Sequence, residues 1–504
     1  MTDIPGIPRR VEEFTSCRLG LRGVLLLLLG TGCYFGLRLY FPPVTRYLII
    51  GCSAFAILFF LRPYPRFWLL LLPVMFIMGG STIPTGEFNP AITTIVMIAF
   101  TVFFFIDRIV WNRPLFVPSP YLFWIFAAVL IQVCSVFISI HIHGQYPWNA
   151  IREGSGIYLF LPMAVMVPVL CPDRDCLMLL LKAVVVSLLI ASAIGVAQYF
   201  SITDFSRVDL GLGYLYRGRV ASLFGNGNIF SGYLELSIPM AIALFFRERS
   251  ARWRTAALLA VVLGVLSVLY TFSRGGLVCV AVGCGITLMY IFRSKPWIPV
   301  LLGALAILLL IQYGDTFDRQ LSFFTDPQKQ ITQPTILHRY VSYQGFIEQI
   351  KDSPVTGVGW GAEEYFWGRS RLYSFWEVRH TVSTGTIRLF GGLNSLFFNQ
   401  AVKGGLVSIM ALLILIASIF AAFIRAMRVP SQRTMTVAVM AGIFGFMIHQ
   451  LVDNLLQFPT VSSLFWISVG IMLAIASGGL EEGGQRPSRT CESREALPVS
   501  PASS

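Results

Sequence analysis

An all-α, polytopic membrane protein is predicted by three features of this sequence: its apolar composition, the recurrence of membrane-length apolar runs, and the sorting of basic residues among the loops between them. Apolar residues make up 56% of the chain and charged residues 12%. A soluble domain carries roughly a quarter charged residues, so the composition alone excludes that class.

A spanning helix needs about 20 mostly apolar residues. Fourteen runs qualify, at 21–40, 46–62, 67–81, 91–107, 120–141, 155–171, 177–200, 228–246, 255–272, 276–293, 297–313, 396–424, 434–452 and 460–478. Several are short or closely spaced, so the expected number is twelve to fourteen. Arg9, Arg10, Arg18 and Arg22 precede the first run, and no small-residue cleavage site follows it. That run is therefore read as the first spanning helix rather than as a signal peptide.

With the N-terminus in the cytoplasm, the basic loop residues fall inside, loop after loop: Arg62 and Arg66, Arg108 and Arg113, Arg174, Arg247 to Arg254, Arg293 and Lys295, and Arg425 to Arg433. This is the positive-inside pattern, and among the short loops the one poor fit is the first outer loop, which carries Arg38 and Arg46. The organisation that follows is a cytoplasmic N-terminus (1–20), a transmembrane bundle with short loops (21–313), a large polar outer loop (314–394), C-terminal transmembrane helices (395–478) and a disordered cytoplasmic tail (479–504). The net charge of +13 resides in those short loops, where it sets topology and meets anionic lipid, and no nucleic-acid module is visible. None of the nine cysteines lies in the outer loop, and Cys171 and Cys176 lack the partners and spacing of a zinc site.

The same topology puts the segments around Arg152, 201–227, Ser273-Arg274 and His449–Pro459 on the outer side together with the large loop, and all five histidines (141, 143, 338, 380, 449) fall there. Outward arginines oppose the topological bias. Arg152, Arg207, Arg217, Arg219, Arg274, Arg319, Arg339, Arg369, Arg371, Arg379 and Arg388 are candidates for a cationic pocket that takes a phosphate or diphosphate, the strongest being those at the membrane boundary or beside a helix start, although Arg outnumbers Lys throughout this chain. Arg219 precedes Gly225-Asn226-Gly227-Asn228, which opens a helix whose first N–H groups attract anions; a capped turn explains the four residues equally well. Ser273-Arg274-Gly275-Gly276 is a tight turn that sets Arg274 at headgroup depth, for a lipid diphosphate or as a snorkelling anchor.

In the insert, Ile336, Tyr340, Tyr343, Ile347 and Ile350 recur at helical spacing and predict an amphipathic helix on the membrane surface, with His338 and Arg339 off the apolar stripe. The Pro/Gly run Asp352 to Trp360 ends it. Histidine is the natural base near neutral pH, though a lone His in a polar loop is more often an ordinary surface residue. His449 and Asp453, four apart, share one helix face and fit either a site wall or a helix cap.

Taken together, Arg219 with Leu223-Phe224-Gly225-Asn226-Gly227-Asn228, Phe272-Ser273-Arg274-Gly275, Arg339 followed by Asp352 to Gly359, and His449-Gln450-Leu451-Val452-Asp453-Asn454 resemble the O-antigen ligase and polymerase family of bacterial membrane glycosyltransferases. They stand in the family's order between about 150 and 478. The resemblance implies a GT-C-like protein of the bacterial inner membrane that moves a glycan from undecaprenyl diphosphate to an acceptor hydroxyl, on a lipid or a growing polysaccharide, at the periplasmic face. It implies no cofactor, metal or nucleotide sugar. In that frame Arg152, Arg217, Arg219, Arg274, Asn226 and Asn228 hold the diphosphate, and Asn394, His449 and Asp453 support the site. One position departs: the family's His-Asn pair before the helix after the loop is here Leu393-Asn394, so His380 or His338, with Arg339, is expected to supply the catalytic groups. A flippase or transporter is the other class with many helices and an arginine-lined cavity, but no internal repeat and no midplane charge pattern is evident.

Overall fold

The computed structural model describes residues 92–200, 219–224, 226–295, 297, 343, 346–362 and 395–478. These residues are helical, with no β-strand among them: α1 (Ile92–Val110), α2 (Pro120–His141), α3 (Pro147–Ser155), α4 (Leu161–Leu170), α5 (Arg174–Tyr199), α6 (Gly227–Arg247), α7 (Ala251–Thr271), α8 (Arg274–Ile291), α9 (Leu396–Ala426), α10 (Arg433–His449) and α11 (Pro459–Ala476). By length and composition, seven of them can cross a membrane: α2, α5, α6, α7, α8, α9 and α11. The expected runs from 91 onward coincide with helices to within a few residues, except that 155–171 shortens to the ten-residue α4. The short polar helix α3 carries no apolar run to betray it. The candidates at 21–40, 46–62, 67–81 and 297–313 lie outside the described residues, as does the tail.

α6 is the axis of the bundle. Seventeen of its 21 residues are buried, and it packs against α5, α7, α8, α10 and α11. α2, α7 and α8 keep large apolar side chains exposed, such as Phe123, Leu259 and Val278, which is the face a lipid-facing helix presents. Inside, α8 and α10 approach so closely that a Cβ at Gly445 would lie 2.6 Å from the carbonyl of Cys279. Small residues let membrane helices pack backbone against backbone in this way.

The two ends of the bundle differ in charge. One end gathers Arg247, Arg249, Arg252, Arg254, Arg293, Lys295, Arg425, Arg428 and Arg433, with Lys182 paired to Glu248 at 2.8 Å. The other gathers the starts of α6, α8, α9 and α11 and the ends of α2, α7 and α10. All the described candidate site residues lie at this second end.

α9 is broken. Gly405 has φ 60° and ψ −153°, a conformation that interrupts the ladder. The polar groups freed there are taken up by residues 353–361. Val358 and Gly359 donate N–H to the carbonyls of Val402 and Lys403 at 2.8 and 3.0 Å, while Leu406 and Val407 donate to Pro354 and Val355 at 2.9 and 3.3 Å. Irregular backbone at membrane depth is tolerated only with such partners. Trp360, 1% exposed, plugs the gap between α2 and α3, packed with Val136 and Ala150, its indole N–H donating to Ser135 and its backbone N–H to Ser139. The Asp352–Trp360 run is thus more than a terminating turn: it is anchored in the bundle.

The helix ahead of it is described at 346–352; it keeps Tyr343 and Ile350 of the expected stripe on its packed face, adds Phe346 and leaves Ile347 out. Phe346 is buried with Tyr343 and Ile350 against Phe398 and Val402, whereas Ile347 is 45% exposed. Packing on α9, rather than on a membrane surface, selects that face.

Candidate functional site

At the less basic end of the bundle, residues 219–224 form a short strut clamped between α5 and α7. Gln198 and Ser222 exchange two hydrogen bonds, side-chain amide to carbonyl at 3.0 Å and backbone N–H to amide oxygen at 2.8 Å. Val220 donates its N–H to the carbonyl of Tyr270 at 3.1 Å. The strut fixes where Arg219 starts. Its Nε donates to the carbonyl of Thr271 at 2.8 Å and an Nη donates to Asn228 Oδ1 at 2.6 Å.

Local sequence explains the two helix starts beside it. Asn226 is extended and its side chain accepts from the N–H of Asn228 at 2.8 Å, capping α6. α7 stops where Phe272 turns left-handed, at φ 51°, and Ser273 caps α8 by accepting from Gly276 N–H at 3.3 Å. Arg274 is therefore the first residue of α8, half-buried, at a terminus whose N–H groups carry partial positive charge.

Asn228 links this corner to the turn before α11. Its Nδ2 donates to Asp453 Oδ2 at 3.1 Å, and the same carboxylate faces His449 Nε2 at 3.2 Å. The other ring nitrogen of His449 lies 2.6 Å from Glu235 Oε1, in the buried interior of α6. The imidazole lies flat against α8, where a Cβ on Gly275 would sit 2.8 Å from Nε2. Only glycine leaves room for it.

A second buried ion pair stands where the insert meets the bundle. Lys403 Nζ lies 2.7 Å from Glu153 Oε2, which also accepts from Gly361 N–H at 2.9 Å, and His143 Nε2 lies 3.2 Å from Thr356 Oγ1. It joins α3, α9 and the 353–361 segment.

Of the expected site residues, Arg219, Asn226, Asn228, His449 and Asp453 are brought together, with Arg274 beside them. Arg152 is not: it is exposed on α3 and shares no hydrogen bond with this group among the described residues, while its neighbour Glu153 takes part in the second cluster. His338, Arg339, His380, Arg217 and Asn394 lie outside the described residues. Glu235, Glu153 and Lys403 were absent from the expected set. The signal for two of them was a charged residue inside an apolar run, Glu235 within 228–246 and Lys403 within 396–424.

Among the described residues, one group brings metal-ligating atoms close: Glu235, Cys279 and His449, all buried, within 4.8 Å of one another. Both nitrogens of His449 already face carboxylates, so the set is better described as a hydrogen-bonded network than as a metal centre. What the corner offers to a ligand is positive charge: a guanidinium with its plane set by two acceptors, next to the N-terminus of α8. Such an arrangement suits a phosphate-type anion.

A protein-family model described as O-antigen ligase matches residues 259–386, which covers most of α7, all of α8 and the insert as far as position 386. No curated protein matches the sequence.

Proposed function

We propose that this chain, a multi-pass membrane protein that belongs to the O-antigen ligase family of glycosyltransferases, transfers a glycan from undecaprenyl diphosphate to an acceptor hydroxyl at the periplasmic face of the inner membrane. The observation that carries the reading is the fixed guanidinium of Arg219 beside the start of α8 at Arg274. Both lie at the end of the bundle opposite the basic loops, and the positive-inside rule assigns that end to the periplasm.

In this reading Arg219 and Arg274, with Asn226 and Asn228 shaping the corner, bind the diphosphate of the donor and stabilise the charge that develops on it as it leaves. The anomeric carbon–oxygen bond to the diphosphate breaks and a bond to the acceptor oxygen forms. The acceptor proton passes to a base from the insert, His338 or His380, with Arg339 nearby. No metal, cofactor or nucleotide sugar is called for, because the leaving diphosphate already supplies the driving group and the arginines supply the charge. The acceptor is a lipid or the end of a growing polysaccharide, that is, ligase or polymerase activity of the same site.

The experiment is glycan transfer in membranes that carry Arg219→Ala or Arg274→Ala at wild-type protein level. A fall of about 100-fold or more is expected, the size seen when one stabilising donor is removed from a developing anion. Full activity in both variants overturns the diphosphate reading.

A further inference from the structure

A line of hydrogen bonds runs from the open end of the bundle into its core: Arg219 to Asn228 at 2.6 Å, Asn228 to Asp453 at 3.1 Å, Asp453 to His449 at 3.2 Å and His449 to Glu235 at 2.6 Å. The directions along it are constrained. Arg219 can only donate, so Asn228 must offer it the amide oxygen and turn its NH₂ to Asp453. Asp453 Oδ2 then accepts from Asn228, and as an ionised carboxylate it can hold His449 at the same oxygen only if Nε2 carries a proton. Nδ1 meets a second carboxylate at 2.6 Å, and that contact also needs a proton between the two atoms. The Glu235–His449–Asp453 set therefore holds two protons, one of them fixed on Nε2. On the α8 side, the thiol of Cys279 and the backbone at Gly275 lie close to the ring.

We propose that Glu235 and His449 are positioning residues for Arg219: the buried Glu235 holds the imidazole so that Nε2–H is given to Asp453, which sets Asn228 and through it the guanidinium. In this state neither ring nitrogen offers a lone pair to a substrate, and His449 serves as a fixed donor rather than as the base. The proposal rests on the reading of Arg219 as a diphosphate ligand, and it accounts for a carboxylate in the middle of a helix with seventeen of its 21 residues buried. It also separates His449 from His338 and His380, which remain the candidates for the base.

The test uses the full chain in lipid nanodiscs with undecaprenyl diphosphate as the probe. Glu235→Gln and His449→Gln are expected to weaken its binding by at least about tenfold, the equivalent of one charge-assisted hydrogen bond, although residue 235 touches neither Arg219 nor the probe. Gly285→Ala, where a Cβ meets nothing within 4 Å, binds as wild type. Selective ¹⁵N-histidine labelling gives a second readout, because the chain has five histidines and His449→Gln removes one set of signals. The wild-type protein is expected to show His449 Nε2 protonated at neutral pH. A bare Nε2 overturns the proposal whether or not any variant folds, and so does wild-type binding by Glu235→Gln. If the wild-type protein does not retain the probe, the diphosphate reading of Arg219 and the positioning role fail together, while the nitrogen signal still decides whether the hydrogen-bonded line exists.

Discussion

His449 bridges two carboxylates, with Nδ1 2.6 Å from Glu235 and Nε2 3.2 Å from Asp453, so one side chain at the end of α10 joins the interior of α6 to the turn before α11. Removing one partner of a buried ion pair costs more than removing both. His449→Ala strands the Glu235 carboxylate and is expected to lower stability by about 3 kcal/mol or more, whereas Glu235→Gln with His449→Gln restores part of the loss. Thermal denaturation in detergent compares the two, and a double variant less stable than the single one contradicts the pairing.

Gly275→Ala tests the space that the imidazole occupies. Its Cβ would lie 2.8 Å from His449 Nε2, so the ring must shift and the Asp453 contact with it. Glycan transfer is expected to fall by about tenfold or more at normal protein level, while Gly285→Ala on the same helix is neutral to slightly stabilising. Equal behaviour of the two variants would show that the ring tolerates displacement.

Arg219→Lys keeps the charge but loses the fork that bonds Thr271 and Asn228 at once. Lysine is a point charge on a flexible stem, so transfer is expected to fall nearly as far as in the alanine variant. Initial rates at saturating and at limiting donor separate the parts: a fixed guanidinium that acts on the leaving group shows its loss in kcat as well as in KM.

Trp360→Ala empties a site that is 1% exposed and removes the bond to Ser135. The expected loss is about 3–5 kcal/mol, most of it from the cavity, because Ser135 keeps its hydrogen bond from Ser408. Limited proteolysis should then cut the insert faster than in wild type, since the segment that docks on α9 has lost its plug. Unchanged cleavage would mean that the backbone bonds alone secure it.

At the opposite end, Glu248 titrates below the ordinary carboxylate range. Burial alone would raise it, but the Lys182 ammonium at 2.8 Å and the N–H groups of Ser250 and Arg249 outweigh burial. A depressed folded-state value means that this contribution is present above the unfolded pKa and is lost as pH falls through the folded one. Thermal stability followed from neutral pH into the acid range should therefore drop less in Glu248→Gln than in wild type, and an identical acid limb would remove the pair from the account.

The helices were legible because lipid imposes one rule on every span: continuous apolar length with basic loops on one side. Arg219, Asn228, His449 and Asp453 were legible because cap residues and outward charges stand out against that background. The same signal singled out Arg152, which stands apart from that cluster. Charge at the outer boundary marks depth but not which neighbour a side chain meets, and Glu153, one position on, turned out to face Lys403. Glu235 and Lys403 were hidden by averaging, since one charge barely changes the hydropathy of a run of some twenty apolar residues. The face used by Phe346 was hidden because its partner, Phe398, is 52 positions away and periodicity reports only local neighbours.

The broken helix at Gly405 sets limits on how this chain can be recombined with its relatives. An exchange of outer loops with joints at 314 and 394 would carry residues 353–361 away from the α9 backbone they were matched to, severing four main-chain bonds in one step. The natural unit of exchange extends past the loop through Val407. Relatives that differ in acceptor preference should accordingly trade this loop and the first turns of the following helix as one inherited block.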